Sequence, residues 1–377
     1  MKIAYIASSI IPSRTANSVH VMKMCQAFAN NGHEVDLLIP NKADKSILNV
    51  EDVYDFYGVK KCFNISRIPL LKTKIGFFVY TFWAVLKARK NNPDLVYTRF
   101  LYPVFFSLLF GLPTIYEIHA PFERLAEKIF FCLINKKKLE KIIVISIPLR
   151  DYFVDKYKIN KDKIFVAPDG ADSVESGVGF KKIRENESEM TVGYIGNLYK
   201  GRGMEVISRI AERCPRVQFH IVGGSPEDLE YWKSRLSDFE NIILHGYVPH
   251  RDVNKYMLSF DVLIAPYQQK VTIQGRGDTC QWMSPLKIFE YMAVGKAILS
   301  SDLPVLKEVL RHGKNSLLAS PEDIDGWVSN LELIRKDTEL RKELGKNAKK
   351  DFENSYTWKA RANNILSNLY YEKNNQL

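Results

Sequence analysis

Met190-Thr191-Val192-Gly193-Tyr194-Ile195-Gly196 repeats, midway along the chain, the pattern of its opening, Met1-Lys2-Ile3-Ala4-Tyr5-Ile6-Ala7. Each is a short apolar run closing on small residues, the form of a buried strand feeding a loop. After the first run, residues 19–30 carry helical spacing that stops at Gly32-His33, and residues 35–39 are apolar again, which reads as β-α-β. Strand candidates follow at 95–98, 114–118, 141–146 and 164–167. After the second run they recur near 217–222, 241–245, 261–265, 297–300 and 316–319. Apolar strands alternating with helices predict parallel sheets covered on both faces. Ligands of such sheets bind beyond the carboxyl ends of the strands.

The reading is therefore α/β, with two Rossmann-like (β/α/β) domains facing across a cleft. Residues 1–170 form the first domain, 171–189 are a linker, and 190–355 form the second domain. A helix over 356–377 is expected to pack back toward the first domain. A chain of 377 residues is too long for one ordinary core, which agrees with two domains of roughly 150 to 200 residues.

A net charge of +11 favours anionic partners. The five cysteines are odd in number and include no C-x-x-C, so neither a disulfide framework nor a thiolate zinc site is expected. The start lacks the basic head and long apolar stretch of a signal peptide, which predicts a cytoplasmic chain. The longest uncharged stretch, between Arg99 and Glu117, is broken by Pro103, Gly111 and Pro113 and reads as a buried helix followed by a strand. The histidines form no H-x-x-x-H pair, so no metal is expected. Asp323-Ile324-Asp325 looks like a D-x-D metal motif but follows Ser320-Pro321-Glu322 at a helix start, where acidic residues favour the dipole.

Ser284-Pro285-Leu286-Lys287-Ile288-Phe289-Glu290 reads as a helix start with Ser284 as cap and Pro285 in the first turn; Gly295 marks its end. Free backbone N–H groups and Lys287 suit a phosphate there. Glu290, one turn on, suits ribose hydroxyls; the plainer reading is a surface ion pair with Lys287. In Gly196-Asn197-Leu198-Tyr199-Lys200-Gly201-Arg202-Gly203, the glycines let a ligand approach the backbone and Arg202 can bond phosphate oxygens bidentately. Neither a G-x-G-x-x-G nor a P-loop is present.

These segments, with Asn17-Ser18-Val19-His20-Val21, Tyr116-Glu117-Ile118-His119, Asp169-Gly170-Ala171-Asp172 and His245-Gly246-Tyr247-Val248, resemble the family 4 glycosyltransferases, in that family's order and over nearly the whole chain. The resemblance implies a GT-B fold and retaining, metal-independent hexosyl or other glycosyl transfer. The donor is a nucleoside diphosphate sugar, UDP- or GDP-linked, used as a co-substrate with no cofactor. It gives His119, Arg202, Lys287 and Glu290 catalytic roles. Asn17, Ser18, Asn197, Gly246, Tyr247, Val248, Asp278, Ser284 and Leu286 become substrate contacts. Asp278 stands in for a carboxylate that the family commonly carries where this chain has Trp282, and Asn197 replaces the usual arginine.

The acceptor is expected to be a glycan or a lipid-linked intermediate in polysaccharide or glycolipid synthesis. Basic residues 72, 74, 87, 89, 90 and 136–138 flank the aromatic run 77–83 and the apolar run 129–134, a pattern suited to peripheral attachment on the cytoplasmic face of an anionic membrane. No nucleic-acid module is recognisable. A nucleotide-sugar 2-epimerase and a non-catalytic nucleotide-sugar binder remain alternative readings.

Overall fold

Strands buried on both faces, joined by helices, arrange the chain into two parallel sheets. The structure, a computed structural model, describes residues 1–42, 44, 50–73, 75–174, 177–183, 190–270, 272–273, 276–278 and 280–374. It divides into two units, Met1–Pro168 with Trp358–Leu377, and Asp169–Thr357.

In the first unit β1 (Lys2–Ile6), β2 (Glu34–Pro40), β3 (Asn64–Ile68), β4 (Leu95–Thr98), β5 (Thr114–Ile118), β6 (Leu139–Val144) and β7 (Ile164–Val166) form one sheet, ordered β3-β2-β1-β4-β5-β6-β7. Every pairing is parallel. In the second unit β8 (Met190–Ile195), β9 (Val217–Val222), β10 (Ile242–Gly246), β11 (Val262–Ala265), β14 (Ala297–Ser301) and β15 (Leu317–Ala319) are ordered β10-β9-β8-β11-β14-β15, again all parallel. A separate antiparallel pair joins β12 (Thr272–Ile273) to β13 (Arg276–Asp278). Both large sheets have the doubly wound order, so the two Rossmann-like domains read from the sequence are present. The order reverses between β1 and β4 and between β8 and β11, where such sheets take ligands.

Local chemistry explains most boundaries. The helix Ala16–Asn30 starts earlier than its apolar spacing suggests, because the Thr15 side chain accepts from the Ser18 backbone and caps it. The helix Pro226–Arg235 opens on a full capping box of Ser225 and Asp228. Asp323 likewise accepts from Gly326 N–H, and Asp325 pairs with Arg213, so the D-x-D stretch serves a helix start.

Two elements escape the sequence pattern: the edge strand β3, in which only Ile68 is buried, and the β12–β13 hairpin. Strand β6 begins two residues earlier than read, at Leu139, which pairs with Thr114, and carries the buried Lys141. That lysine is 1% exposed, and its ammonium donates to the Asp162 carbonyl at 2.6 Å. The uncharged stretch before Glu117 is the helix Leu101–Leu109 and then β5, and among the described residues no helix is long and apolar enough to cross a membrane.

Candidate functional site

The second unit builds its site where β8 and β11 end. Past β8, Gly196 sits at φ +139°, and a side chain there would meet the Lys287 Nζ and Cε at 3.1 Å. Gly203, at φ +97°, precedes the helix Met204–Arg213 so closely that a Cβ would strike the Pro266 carbonyl oxygen. Both positions require glycine, since positive φ is strained for other residues and neither has room. The loop between them is pinned: Gln268 N–H donates to Gly201 O at 2.9 Å, and the Tyr194 hydroxyl donates to Asn197 O at 2.6 Å.

Lys287 comes from the helix Leu286–Val294, which starts one residue later than its sequence suggests. Pro285 occupies the cap position with no side-chain cap bond, and Gly295 ends the helix at φ +69°. Ser284 does not cap: its hydroxyl accepts from the Asp169 backbone N–H at 2.8 Å, tying the helix entry to residues far away in sequence. The first N–H groups of the helix therefore lack a side-chain acceptor.

The two cations meet over aromatic rings. The Lys287 ammonium lies 3.7 Å from the Tyr194 ring centroid and 5.3 Å from that of Tyr267, and the Arg202 guanidinium is 5.3 Å from the same Tyr267 ring. Among the described residues neither cation makes an ion pair, and the Arg202 Nε is buried without a hydrogen-bond partner. The surface pair between Lys287 and Glu290 does not form. Desolvation and then the neighbouring Arg202 hold the Lys287 ammonium well below the usual lysine range, with Glu290 acting in the opposite sense. Two cations gathered on the Tyr267 ring, one of them in the first turn of a helix without a side-chain cap, have the chemistry to suit a multiply charged anion.

The other predicted residues of this unit are spread around that pair. Glu290 stands one turn beyond Lys287 and Leu286 is the first helical residue. Asn197 is exposed and contributes its carbonyl. Gly246 ends β10 and accepts from Gly223 N–H at 2.7 Å; Tyr247 next to it is exposed, and Val248 packs on the core. Asp278 ends β13, and its side chain lies outside the described residues. Tyr194 and Tyr267 were not singled out from sequence. Their signal was position, Tyr194 being the penultimate residue of β8 and Tyr267 two residues past β11.

In the first unit, His119 follows β5 and bonds through Nε2 to Glu117, a carboxylate with no exposed surface. Glu117 also accepts from the Tyr97 hydroxyl and from Arg361, whose Nη2 and Nη1 lie 3.1 and 3.4 Å from its two oxygens. His20 Nε2 is 3.1 Å away and Arg99 Nε 3.7 Å. Burial alone would raise the Glu117 pKa, but Arg361, His20 and His119 together hold it well below the usual carboxylate range. Arg361 is 2% exposed and anchors the network by donating to Pro168 O and Ala167 O at 2.8 and 3.1 Å. Two histidines far apart in sequence, His20 and His119, thus converge on one carboxylate, but its charge is already matched by arginine.

Asn17 and Ser18 lie in the first turn of the helix Ala16–Asn30 and bond back to the loop that precedes it. Asn17 Nδ2 donates to Ser9 Oγ at 2.7 Å, and the Ser18 hydroxyl is 2.8 Å from both the Ser13 and Thr15 carbonyls. Ser18 is thereby committed to shaping its own loop.

Comparison with known proteins bears on both units. The family model for Glycosyltransferase Family 4 matches residues 18–175, and that for Glycosyl transferases group 1 matches 189–337. An uncharacterized glycosyltransferase of Methanocaldococcus jannaschii is 22% identical over 236 residues, which is 58% of this chain and 56% of that protein, so the match spans little more than half of the relative's own length. Anabaena HepE, solved in complex with UDP, superposes with a TM-score of 0.73 at 16% identity, over 98% of this chain and all of that one. A lipopolysaccharide outer core galactosyltransferase superposes with a TM-score of 0.67 at 16% identity, over 99% of this chain and 100% of that chain. With both halves matched and the doubly wound sheets in place, this chain joins a Glycosyltransferase Family 4 domain to a Glycosyl transferases group 1 domain and has the GT-B fold of a glycosyltransferase.

Proposed function

We propose that this protein transfers a sugar, with retention of configuration and without a metal, from a nucleoside diphosphate sugar to a glycan or lipid-linked acceptor. The observation that carries the reading is that Lys287, beside Gly196 in the first turn of a helix without a side-chain cap, shares the Tyr267 ring with Arg202, neither cation having an ion-pair partner among the described residues. When the bond between the anomeric carbon and the diphosphate breaks, the electron pair leaves with the diphosphate, while the acceptor oxygen bonds to that carbon and its proton passes to the departing diphosphate. The two cations stabilise the charge that develops on the leaving group, which is where fixed charges lower a barrier most.

On this reading Glu290 holds the ribose hydroxyls and the backbone of Gly246, Tyr247 and Val248 meets the base. Asn197, Ser284 and Leu286 shape the phosphate loop, Asp278 contacts the sugar, and His119 is the first unit's catalytic group, with Asn17 lining its loop. The donor is a UDP- or GDP-sugar consumed as a co-substrate, with no cofactor. The UDP bound by the Anabaena neighbour supports a nucleotide donor, and the lipopolysaccharide galactosyltransferase supports an acceptor of the glycan class. A cytoplasmic enzyme fits a donor of this kind.

The test is product analysis: with its donor and acceptor the protein should yield a glycoside of the donor's own anomeric configuration, at an undiminished rate in EDTA. An inverted product, or activity abolished by EDTA and restored by Mg²⁺, would overturn the mechanism. Donor converted without any acceptor would instead indicate an epimerase.

A pH dependence follows from Lys287. Its free-state pKa lies well below 10.5, and a bound diphosphate would raise it, so donor binding takes up a proton at pH values between the two. Affinity should therefore fall as pH rises through the free-state value. Calorimetry in two buffers of different ionisation enthalpy reads the uptake directly, and Lys287→Arg should abolish it because arginine stays charged. Equal apparent enthalpies in both buffers for the wild type would contradict the linkage.

A further inference from the structure

Three helices of the first unit, Gly76–Lys90, Leu101–Leu109 and Arg124–Leu133, leave large apolar side chains in solvent: Phe78, Trp83, Phe105, Leu109, Leu125 and Phe131. Leu109 is 65% exposed, Phe131 63% and Trp83 55%, well beyond what a helix packed on a sheet needs to show. The helices are neighbours. The first and second pack through Phe78 on Phe106 at 4.8 Å and Phe82 on Phe106 at 5.4 Å, and the second also packs on the third. They follow β3, β4 and β5, whose connections all step the same way across the sheet, so right-handed crossovers put them on one face.

Cations border that face. Lys87, Arg89 and Lys90 close the first helix, Lys128 lies on the third, and residues 136–138 follow it, all exposed. The nearby acidic residues do not balance these seven cations: Glu127 is 2.8 Å from Lys156, which leaves Glu123 and Glu140. Arg89 shows how a cation sits here, its guanidinium 5.2 Å from the Phe110 ring centroid with the charge toward water.

Apolar side chains ringed by uncompensated positive charge match the boundary of an anionic bilayer, where rings and alkyl groups enter the interface and lysines meet headgroups. A second copy of the chain fits poorly. A twofold contact pairs a patch with itself, which would set these lysines and arginines against their own equivalents. We propose that the face formed by these three helices docks on an anionic lipid surface and holds the transferase beside a lipid-linked acceptor. This deepens the reading of the acceptor given above and rests on it for the identity of the reaction.

Trp83 supplies the probe: of the five tryptophans, Trp232, Trp327 and Trp358 are buried and Trp282 is half-buried in the second unit, so the signal is assigned by its loss in the Trp83 variant. Wild-type protein should sediment with phosphatidylglycerol/phosphatidylcholine vesicles and its tryptophan emission should shift to the blue, a shift that Trp83→Phe removes while sedimentation persists. Phosphatidylcholine vesicles alone should bind at least tenfold more weakly. Leu109→Ser with Phe131→Ser should reduce sedimentation at least tenfold; both side chains are exposed, so stability should hold. Donor-induced thermal stabilisation, measured on the same samples, should be unchanged in that variant, which separates failure of docking from failure of the functional reading. The proposal is overturned if wild-type protein ignores the anionic vesicles, if neutral vesicles bind equally well, or if the double substitution dissolves a concentration-dependent dimer without affecting sedimentation with lipid.

Discussion

Replacing Lys287 or Arg202 with alanine is expected to lower kcat/KM for the nucleotide-sugar donor roughly ten- to hundredfold each, from about 1.5–3 kcal/mol per charged hydrogen bond lost. The loss should not come from unfolding. Lys287 is held against the Tyr194 ring with no ion pair among the described residues and its charge is disfavoured by desolvation, so its removal should leave the melting temperature unchanged or raise it. Activity and stability therefore move apart, a signature that a structural lysine would not give. Lys287→Arg should recover part of the rate, because charge is restored without the compact ammonium that fits beside Gly196. Wild-type kcat/KM in both alanine variants would remove the anion receptor from the account.

Arg361→Ala is expected to be among the most destabilising single substitutions in the first unit, by about 3–5 kcal/mol, because it strands a buried carboxylate. Glu117 has no exposed surface, and Arg361 faces both its oxygens while holding the carbonyls of Ala167 and Pro168. The penalty should fall at low pH, where protonation of Glu117 removes the stranded charge. The sign follows from the depressed carboxyl pKa: the stability it contributes is present above the unfolded-state value and is lost as pH falls through the lower folded-state value. Urea denaturation at neutral and acid pH measures this. Adding Glu117→Gln to Arg361→Ala should recover a large part of the loss. A double variant no more stable than the single one would show that Arg361 acts mainly through its two carbonyl bonds.

The parallel sheets were legible because fully buried strands read as apolar runs, and the echo of residues 1–7 at 190–196 exposed the second winding. The edge strand β3, with alternating polar residues, and the β12–β13 hairpin carry no such run, so pattern alone passed over them. At the site, glycines, Lys287 and Arg202 were visible because their spacing follows the first turn of a helix and a strand-to-helix loop. Ser284 misled for a tertiary reason, since its hydroxyl is taken by Asp169, 115 residues away in sequence. The Glu117 network lay further out of reach. A carboxylate within an apolar strand was a signal on its own, but its partner Arg361 is 244 residues distant, and nothing local announces the pairing.

The central claim is that Lys287 and Arg202 receive the diphosphate of a nucleotide-sugar donor, and thermal stability across a panel of UDP-, GDP- and dTDP-sugars tests it most directly. A donor at about 100 times its dissociation constant should add about 2.7 kcal/mol to wild-type stability, and at the same concentration should add little to Arg202→Ala. No shift with any donor, or an equal shift in the variant, would contradict it.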